Sequence, residues 1–426
     1  MKKLCLCLAL MGLIGLSGQA FAVINTIDDV PGSTLLLPYF EVDIADPVNG
    51  VNTLFSINNA SATAILTHVT IWTDQSVPVL DFDVYLTGYD VVTVSLRDIL
   101  VNGNLPRTAS AGQDPTDTAS PNDGISNKGP ASQDINFASC TGILPYSPGA
   151  VSANFRAHLQ ALLQGNQSPV TGNCAGSKQD DDILRGYVTV DTVNACNVLF
   201  PSQMDEGYLA VLTNQNAIWG DYFYVNSGQN FAQGETLVHI EACPTCFVTG
   251  DHTFYGRYIN AAALDAREPL PTTMAARYLN GAGFTGGTDF LIWREGDDSD
   301  VGYNCNLPGP PSWYPLDAAQ IVIFDETEQP VTSDECPSGD PTCEQLVSIP
   351  NEAQRVDVAA DLLTPFNFGW AYLNLQHTEL IPEYADTFAQ MWLTTVMDAN
   401  GRFSVGFDGV QLDNANTPNT IIIPVQ

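Results

Sequence analysis

Lysine is nearly missing from this chain. Its 426 residues hold 14 Lys plus Arg against 48 Asp plus Glu, and beyond Lys2 and Lys3 the only lysines are Lys128 and Lys178. Leaving out Lys2 and Lys3 takes the basic count from 14 to 12 against 48 acidic side chains, a balance of −36. A surface this acidic repels phosphate backbones, which argues against nucleic acid as a partner. Its plain consequence is solubility. Its sharper reading, collection of divalent cations, needs a coordination shell that charge alone does not build.

Long apolar runs are also lacking. Past residue 22 no stretch of 18 or more apolar residues occurs, so no membrane-spanning helix is expected. Catalytic signatures are missing too: there is no Gly-x-Ser-x-Gly elbow, no His-Glu-x-x-His and no phosphate-binding glycine loop. Five histidines, at 68, 158, 239, 252 and 377, are scattered.

What is present begins with a leader. Lys2 and Lys3, the apolar Leu4–Leu16 and the small-x-small Ala20-Phe21-Ala22 read as a signal peptide over 1–22, with the mature chain starting near Val23. The expectation is an exported protein, periplasmic, cell-surface or extracellular. Cys5 and Cys7 leave with the leader. Cys140, Cys174, Cys196, Cys243, Cys246, Cys305, Cys336 and Cys343 remain, an even number that points to disulfides in an oxidising compartment. Cys140 and Cys174 bracket a helical pattern and would staple it. Cys336 and Cys343 are close enough to close a small loop.

The stretch from His68 to Leu100 alternates apolar and polar residues through three strands and two turns. Val69, Ile71 and Thr73 face one way, and His68, Thr70, Trp72 and Asp74 face the other. This pattern predicts antiparallel strands with one buried face and a polar outer one. It recurs: Gln320–Val331 matches His68–Val79 without a gap, 286–293 echoes 50–57, and Arg355–Leu363 follows the plan of Val91–Leu100 with a slip. Segments repeated in the same order predict two copies of one unit. The expected class is all-β, two antiparallel β-sandwich domains over 23–248 and 249–426. The first carries an insertion over 101–184. Within it Ser147, Pro148 and Gly165 delimit a helix whose apolar stripe is Val151, Phe155, Leu159 and Leu162-Leu163.

This strand grammar resembles the tandem immunoglobulin-like or fibronectin-like β-sandwich proteins exported by bacteria. The resemblance is one of architecture, and it implies no functional residues.

Three groups carry candidate chemistry. His239, Cys243, Cys246 and His252 offer zinc-type ligands or a Cys-x-x-Cys redox pair, although export favours disulfides. Asp180-Asp181-Asp182, and Asp297, Asp298 and Asp300, are acidic runs, the second with calcium-loop composition but without the spacing, so calcium is the one cofactor left open. Trp219, Tyr222, Tyr224, Trp313 and Tyr314 are aromatics for core packing or for stacking on sugars. The leading expectation is a non-enzymatic structural or adhesion-type protein with a protein or glycan partner at the cell surface. The alternatives are a carbohydrate- or calcium-binding module and a secreted hydrolase.

Overall fold

In the computed structural model, residues 30–109, 135–242, 253–259, 266–281, 283–296, 301–306, 320–331, 349–362, 364–374, 389–402 and 404–414 are described. The signal-peptide expectation lies outside them. Among them no helix is long and apolar enough to cross a membrane.

The chain is mostly β. Its first half contributes β1 (Thr34–Asp43), β2 (Asn52–Asn59), β3 (Ile65–Thr73), β4 (Pro78–Leu86), β5 (Val91–Ser95), β6 (Ile183–Val193), β7 (Ile218–Trp219), β8 (Asp221–Asn226), β9 (Phe231–Thr236) and β10 (Val238–Ile240). Its second half contributes β11 (Pro271–Leu279), β12 (Gly287–Arg294), β13 (Gln320–Asp325), β14 (Pro330–Val331), β15 (Ala353–Asp357), β16 (Phe368–Asn374), β17 (Met391–Asp398), β18 (Ser404–Asp408) and β19 (Val410–Asn414). They form four antiparallel sheets with orders β10-β1-β6-β3-β4, β5-β2-β8-β9, β14-β13-β16-β11-β19 and β15-β12-β17-β18, with β7 added beside β2.

Alternation explains the first core. Leu35, Leu37, Val69, Ile71, Phe82, Val188 and Val190 share one buried cluster with Phe55, Ile57, Val92, Val94 and Tyr222. The same cluster takes in Leu291, Trp293, Ala353, Trp392 and Val396 of the second half. Their alternating neighbours Phe290, Ile292, Val356, Met391 and Leu393 belong instead to a second core with Met274, Tyr278, Ala371 and Leu373. The central strands of this sheet, β12 and β17, are therefore buried on both faces. Such strands lose alternation and read as near-continuous apolar runs, as in Phe290-Leu-Ile-Trp293.

The polar face of β3 departs from the sequence expectation. His68, Thr70 and Trp72 are fully buried, as are Thr189 and Asp191 beside them on β6. Tyr208, Tyr255 and Arg267 cover part of this face, and Trp293 of the second half meets Tyr187 edge-on at 5.9 Å. Alternation reports two different environments, and here the second is polar protein rather than water.

The insertion helix α1 (Ala153–Leu163) starts later than the sequence pattern places it. Ser152, not Ser147, caps it by accepting from the Phe155 amide. Gly165 does end it, at φ +65°. Leu159, Leu162 and Leu163 are buried, whereas Phe155 is exposed.

The disulfides also correct an expectation. Cys140 bonds Cys196, and Cys174 bonds Cys305. Cys140 and Cys174 thus bracket α1 without pairing, because each finds a partner brought close by tertiary structure. Cys174–Cys305 joins the two halves, and beside it Cys174 and Tyr303 exchange backbone hydrogen bonds of 2.8 Å both ways. The other four cysteine candidates lie outside the described residues. Replacing Cys174 and Cys305 with serine is expected to cost about 2–4 kcal/mol of stability, read by urea denaturation of the oxidised protein against the variant.

Gly186 on β6 marks a tight crossing. A Cβ there would come 1.9 Å from the Trp72 carbonyl oxygen and 3.0 Å from the Phe40 ring. Gly186→Ala is expected to cost roughly 2–3 kcal/mol through forced displacement of β3, measurable as a lowered urea midpoint with an unchanged slope.

Candidate functional site

The densest chemistry lies on the polar face of the β10-β1-β6-β3-β4 sheet. Cross-strand pairing sets Asp83, His68, Asp191 and Thr34 in one row. His68 Nδ1 lies 2.9 Å from Asp83 Oδ1. Asp191 accepts from Thr34 at 2.5 Å, from the Tyr208 hydroxyl at 2.6 Å and from the Tyr255 hydroxyl at 2.9 Å. Arg267 Nε stands 3.8 Å from the same carboxylate and donates to Thr34 Oγ1 at 2.5 Å. Burial opposes a charge on His68, but the hydrogen bond and charge of Asp83, aided by Asp81 and Asp191, hold its pKa above the ordinary value. Burial, with Asp191 adding to it, raises Tyr208 and Tyr255 well above theirs.

A histidine held by a carboxylate is the core of many general bases, yet a base must reach a substrate proton. His68 and Asp191 are 0% exposed and Asp83 is 2% exposed. Two clefts open elsewhere. One of about 300 Å³ lies between the halves and is lined by Tyr39, Glu41, Tyr224, Phe231, Arg355 and Asp398 among others. The larger, about 1050 Å³, runs along β5 and is walled by residues 104–109 and 145–148. Neither is lined by His68, Asp83 or Asp191.

A second polar cluster joins the halves. The turn after β3 carries Asp74, Gln75 and Ser76. The Asp74 carbonyl accepts from the Glu352 amide at 2.9 Å, and Gln75 donates to Asn351. Arg257 pairs with Glu352 at 2.5 Å and donates to Ser76 Oγ at 3.1 Å. Glu295 accepts from the Gln390 amide at 3.1 Å. Burial raises Glu352 and pushes both Asp74 and Glu295 up to about 7, although Ser177 hydrogen bonds pull Asp74 down and the Arg257 charge pulls Glu295 down. On the rim of the smaller cleft Arg355 bridges Glu41 at 3.1 Å and Asp289 at 2.5 Å.

Of the zinc-type candidates, His239 is described. It lies on β10 opposite Leu35, is 5% exposed, and its Nε2 sits 3.2 Å from the Gly220 amide nitrogen. Cys243, Cys246 and His252 lie outside the described residues, as do Asp297, Asp298, Asp300, Trp313 and Tyr314. Asp181 is held by Arg185 at 2.6 Å and Asp180 by Lys178 at 3.0 Å. Among the described residues no three His, Cys, Asp or Glu side chains gather as a metal site. Tyr222 and Tyr224 are core residues, and Trp219 is 38% exposed.

Sequence reasoning missed Asp191, Arg257, Arg267, Glu352 and Arg355. One signal was there: in a chain so poor in cations, an arginine is a candidate for a specific acidic partner. The class the fold defines is a mostly β protein of four antiparallel sheets. Among known proteins, no family model, no curated relative and no solved structure matches the chain.

Proposed function

We propose that this chain is an exported, non-enzymatic structural or adhesion-type protein, built from two immunoglobulin-like or fibronectin-like β-sandwich units related by an internal repeat. The observation that carries the non-enzymatic reading is the sealing of the densest cluster of acid–base groups among the described residues. The His68 row is closed to solvent. The Arg257 cluster holds the halves together. Both act as structure.

Several local coincidences support the repeat. Written from matching ends, the sheet orders of the halves run in parallel: β10-β1-β6-β3-β4 beside β19-β11-β16-β13-β14, and β5-β2-β8-β9 beside β15-β12-β17-β18. Thr53 exchanges hydrogen bonds with the backbone of Glu41, as Thr288 does with Leu279. Gly369 crosses Phe324 as closely as Gly186 crosses Trp72: a Cβ at Gly369 would come 1.8 Å from the Phe324 carbonyl oxygen. Ser76 and Glu328 occupy matching turns with φ of 57° and 62°. The gapless match of 68–79 to 320–331 keeps its register at that turn. Aligning Gly50 with Gly286 is one residue off, since the threonines pair 53 with 288.

Export is supported by the two disulfides, which persist in oxidising compartments. The reading is tested by fractionating cells and sequencing the N-terminus of the purified chain. The expected result is a chain beginning near Val23 outside the cytosol, with Cys174 and Cys305 resistant to alkylation. A cytosolic chain that retains Met1 and has free thiols would overturn export. A His68→Gln variant that keeps full stability while losing turnover of a defined substrate would overturn the non-enzymatic reading.

A further inference from the structure

The larger cleft follows β5 from end to end. β5 is the last strand of its sheet, beside β2. The Asn59 amide donates to the Asp90 carbonyl at 2.9 Å, and the same register continues with Ile57 opposite Val92 and Phe55 opposite Val94. Hydrogen-bonded pairs alternate along an antiparallel ladder. Val92 and Val94 therefore bond to β2, and the Thr93 amide, the Thr93 carbonyl and the Val91 carbonyl point away from it. Among the described residues no hydrogen bond reaches these three groups. Val91 is 59% exposed, and Thr93 is exposed as well.

Natural sheets blunt or cover such edges. Here a wall runs beside the edge but stands off from it. Residues 104–109 and 145–148 are fixed to β4, the edge strand of the other sheet. The Thr108 hydroxyl accepts from the Tyr85 amide at 2.6 Å and donates to the Tyr85 carbonyl at 2.8 Å. The Tyr146 hydroxyl accepts from the Asp83 amide at 2.8 Å. The Gly149 amide donates to Asn104 at 2.9 Å and ties the two wall segments together. The space of about 1050 Å³ lies between this wall and β5.

The edge strand β15 shows what outward groups of this kind take. The Arg294 amide donates to the Glu352 carbonyl, so the amides of Ala353 and Asp357 point away from β12. Ala353 donates to the main-chain carbonyl of Asp74 at 3.3 Å, and Asp357 donates to the Asp361 carboxylate at 2.8 Å. One edge is thus met by main chain from a distant part of the fold, and the other faces an open groove.

We infer that this groove receives an extended segment of a partner protein, which adds to the sheet as a strand beside β5. Main-chain bonds to Thr93 and Val91 hold the segment, and its side chains alternate between two faces. The inner row turns toward Leu105 and Tyr146 and is apolar; the outer row lies beside Val91 and Thr93 and is polar. The charged residues of the groove are Asp90 and Asp98 against Arg107, in a chain of net charge −34, so the segment is basic. The inference deepens the adhesion-type reading above and rests on it for the existence of a partner.

Fluorescence anisotropy of an end-blocked, labelled Lys-Val-Thr-Val-Thr-Val-Lys peptide, titrated with the mature chain, tests this. Saturable binding is expected, weakened but not abolished by salt. Two control peptides are N-methylated on the valines or on the threonines, which blocks one edge of the strand or the other. One of them should lose affinity about tenfold or more, and the other should keep it. Thr93→Pro removes the outward amide, spares the bonds to β2 and should cost about as much. If that variant does not fold, hydrogen exchange of the wild type replaces it: bound peptide should slow the Thr93 amide. No saturable binding at millimolar peptide overturns the inference, as does equal binding by both methylated peptides or a Thr93 amide that exchanges unchanged at saturation. A chain that dimerises in sedimentation, and stops doing so as Thr93→Pro, assigns the edge to a second copy and also overturns it. Failure to bind in a chain still found at the cell surface sinks this inference alone; peptide binding by a cytosolic chain sinks the export reading alone.

Discussion

Arg257→Met is expected to lower the unfolding free energy by about 3–5 kcal/mol, the usual cost of stripping one partner from a buried ion pair. Arg257 is the cation between the buried Glu352 and the half-buried Glu295. It touches Glu352 at 2.5 Å, and its charge also stabilises Glu295. Burial works against the Arg257 charge, but Glu352 leads the groups that restore it and raise it well above the ordinary value. Without it, Glu352 and Glu295 must take up protons or draw in water, and the Ser76 and Tyr187 hydroxyls lose a donor. Adding Glu352→Gln should recover a large part of the loss, because the uncompensated charge is what costs most. Urea denaturation of the wild type, the single variant and the double variant decides this. A single variant within about 0.5 kcal/mol of wild type, the range of ordinary surface changes, would mean that the cluster does not hold the halves together.

Stability should fall as pH rises from about 5 toward 8. In the folded chain Asp74 and Glu295 hold protons up to about pH 7, against unperturbed values of 3.8 and 4.5. Between those limits the folded state binds more protons than the unfolded one. Their contribution is therefore complete below the unfolded values and is lost as pH rises through about 7. Each shift corresponds to at most about 3–4 kcal/mol. His68, also raised, acts in the same direction, its share lost as pH climbs through its folded pKa. Asp46 and Asp181 are lowered, by backbone hydrogen bonds and by Arg185 respectively, and so act oppositely, losing stability toward acid. A maximum in mildly acidic solution follows. Thermal midpoints measured from pH 4 to 9 should show it, and Asp74→Asn/Glu295→Gln should flatten the alkaline fall. An unchanged slope in that double variant would place the pH dependence elsewhere.

Strand placement was legible because alternation depends only on the backbone period of two. β4 and β5 fall inside the stretch His68–Leu100, β3 overlaps it but starts three residues earlier at Ile65, and the turn at Ser76 falls where the gapless match puts it. What lies against each face was not legible. Threonine, histidine and aspartate alternating with valine read the same whether their partner is water or another polar side chain. Here the partners are Tyr208, Tyr255 and Arg267, from segments remote in sequence. The helix start shows a local version of the same difficulty: Ser147 and Ser152 both have capping side chains, and only the fold brings Ser152 to the Phe155 amide. Cysteine proximity in sequence misled for a related reason, since Cys174–Cys305 closes across 131 residues. Phe290–Trp293 did carry a signal for two-sided burial, in an apolar run without alternation.

The welding of the two halves into one body by their buried polar groups and shared core is tested most directly by native-state hydrogen exchange. Amides of β6, such as Val188 and Val190, and amides of β12 and β17, such as Ile292 and Leu393, should exchange through one common opening whose free energy equals that of global unfolding. Release of the β12 and β17 amides at a clearly lower free energy, with the β6 amides still protected, would contradict it. The halves would then be separable domains, and the charged groups between them an ordinary, openable contact.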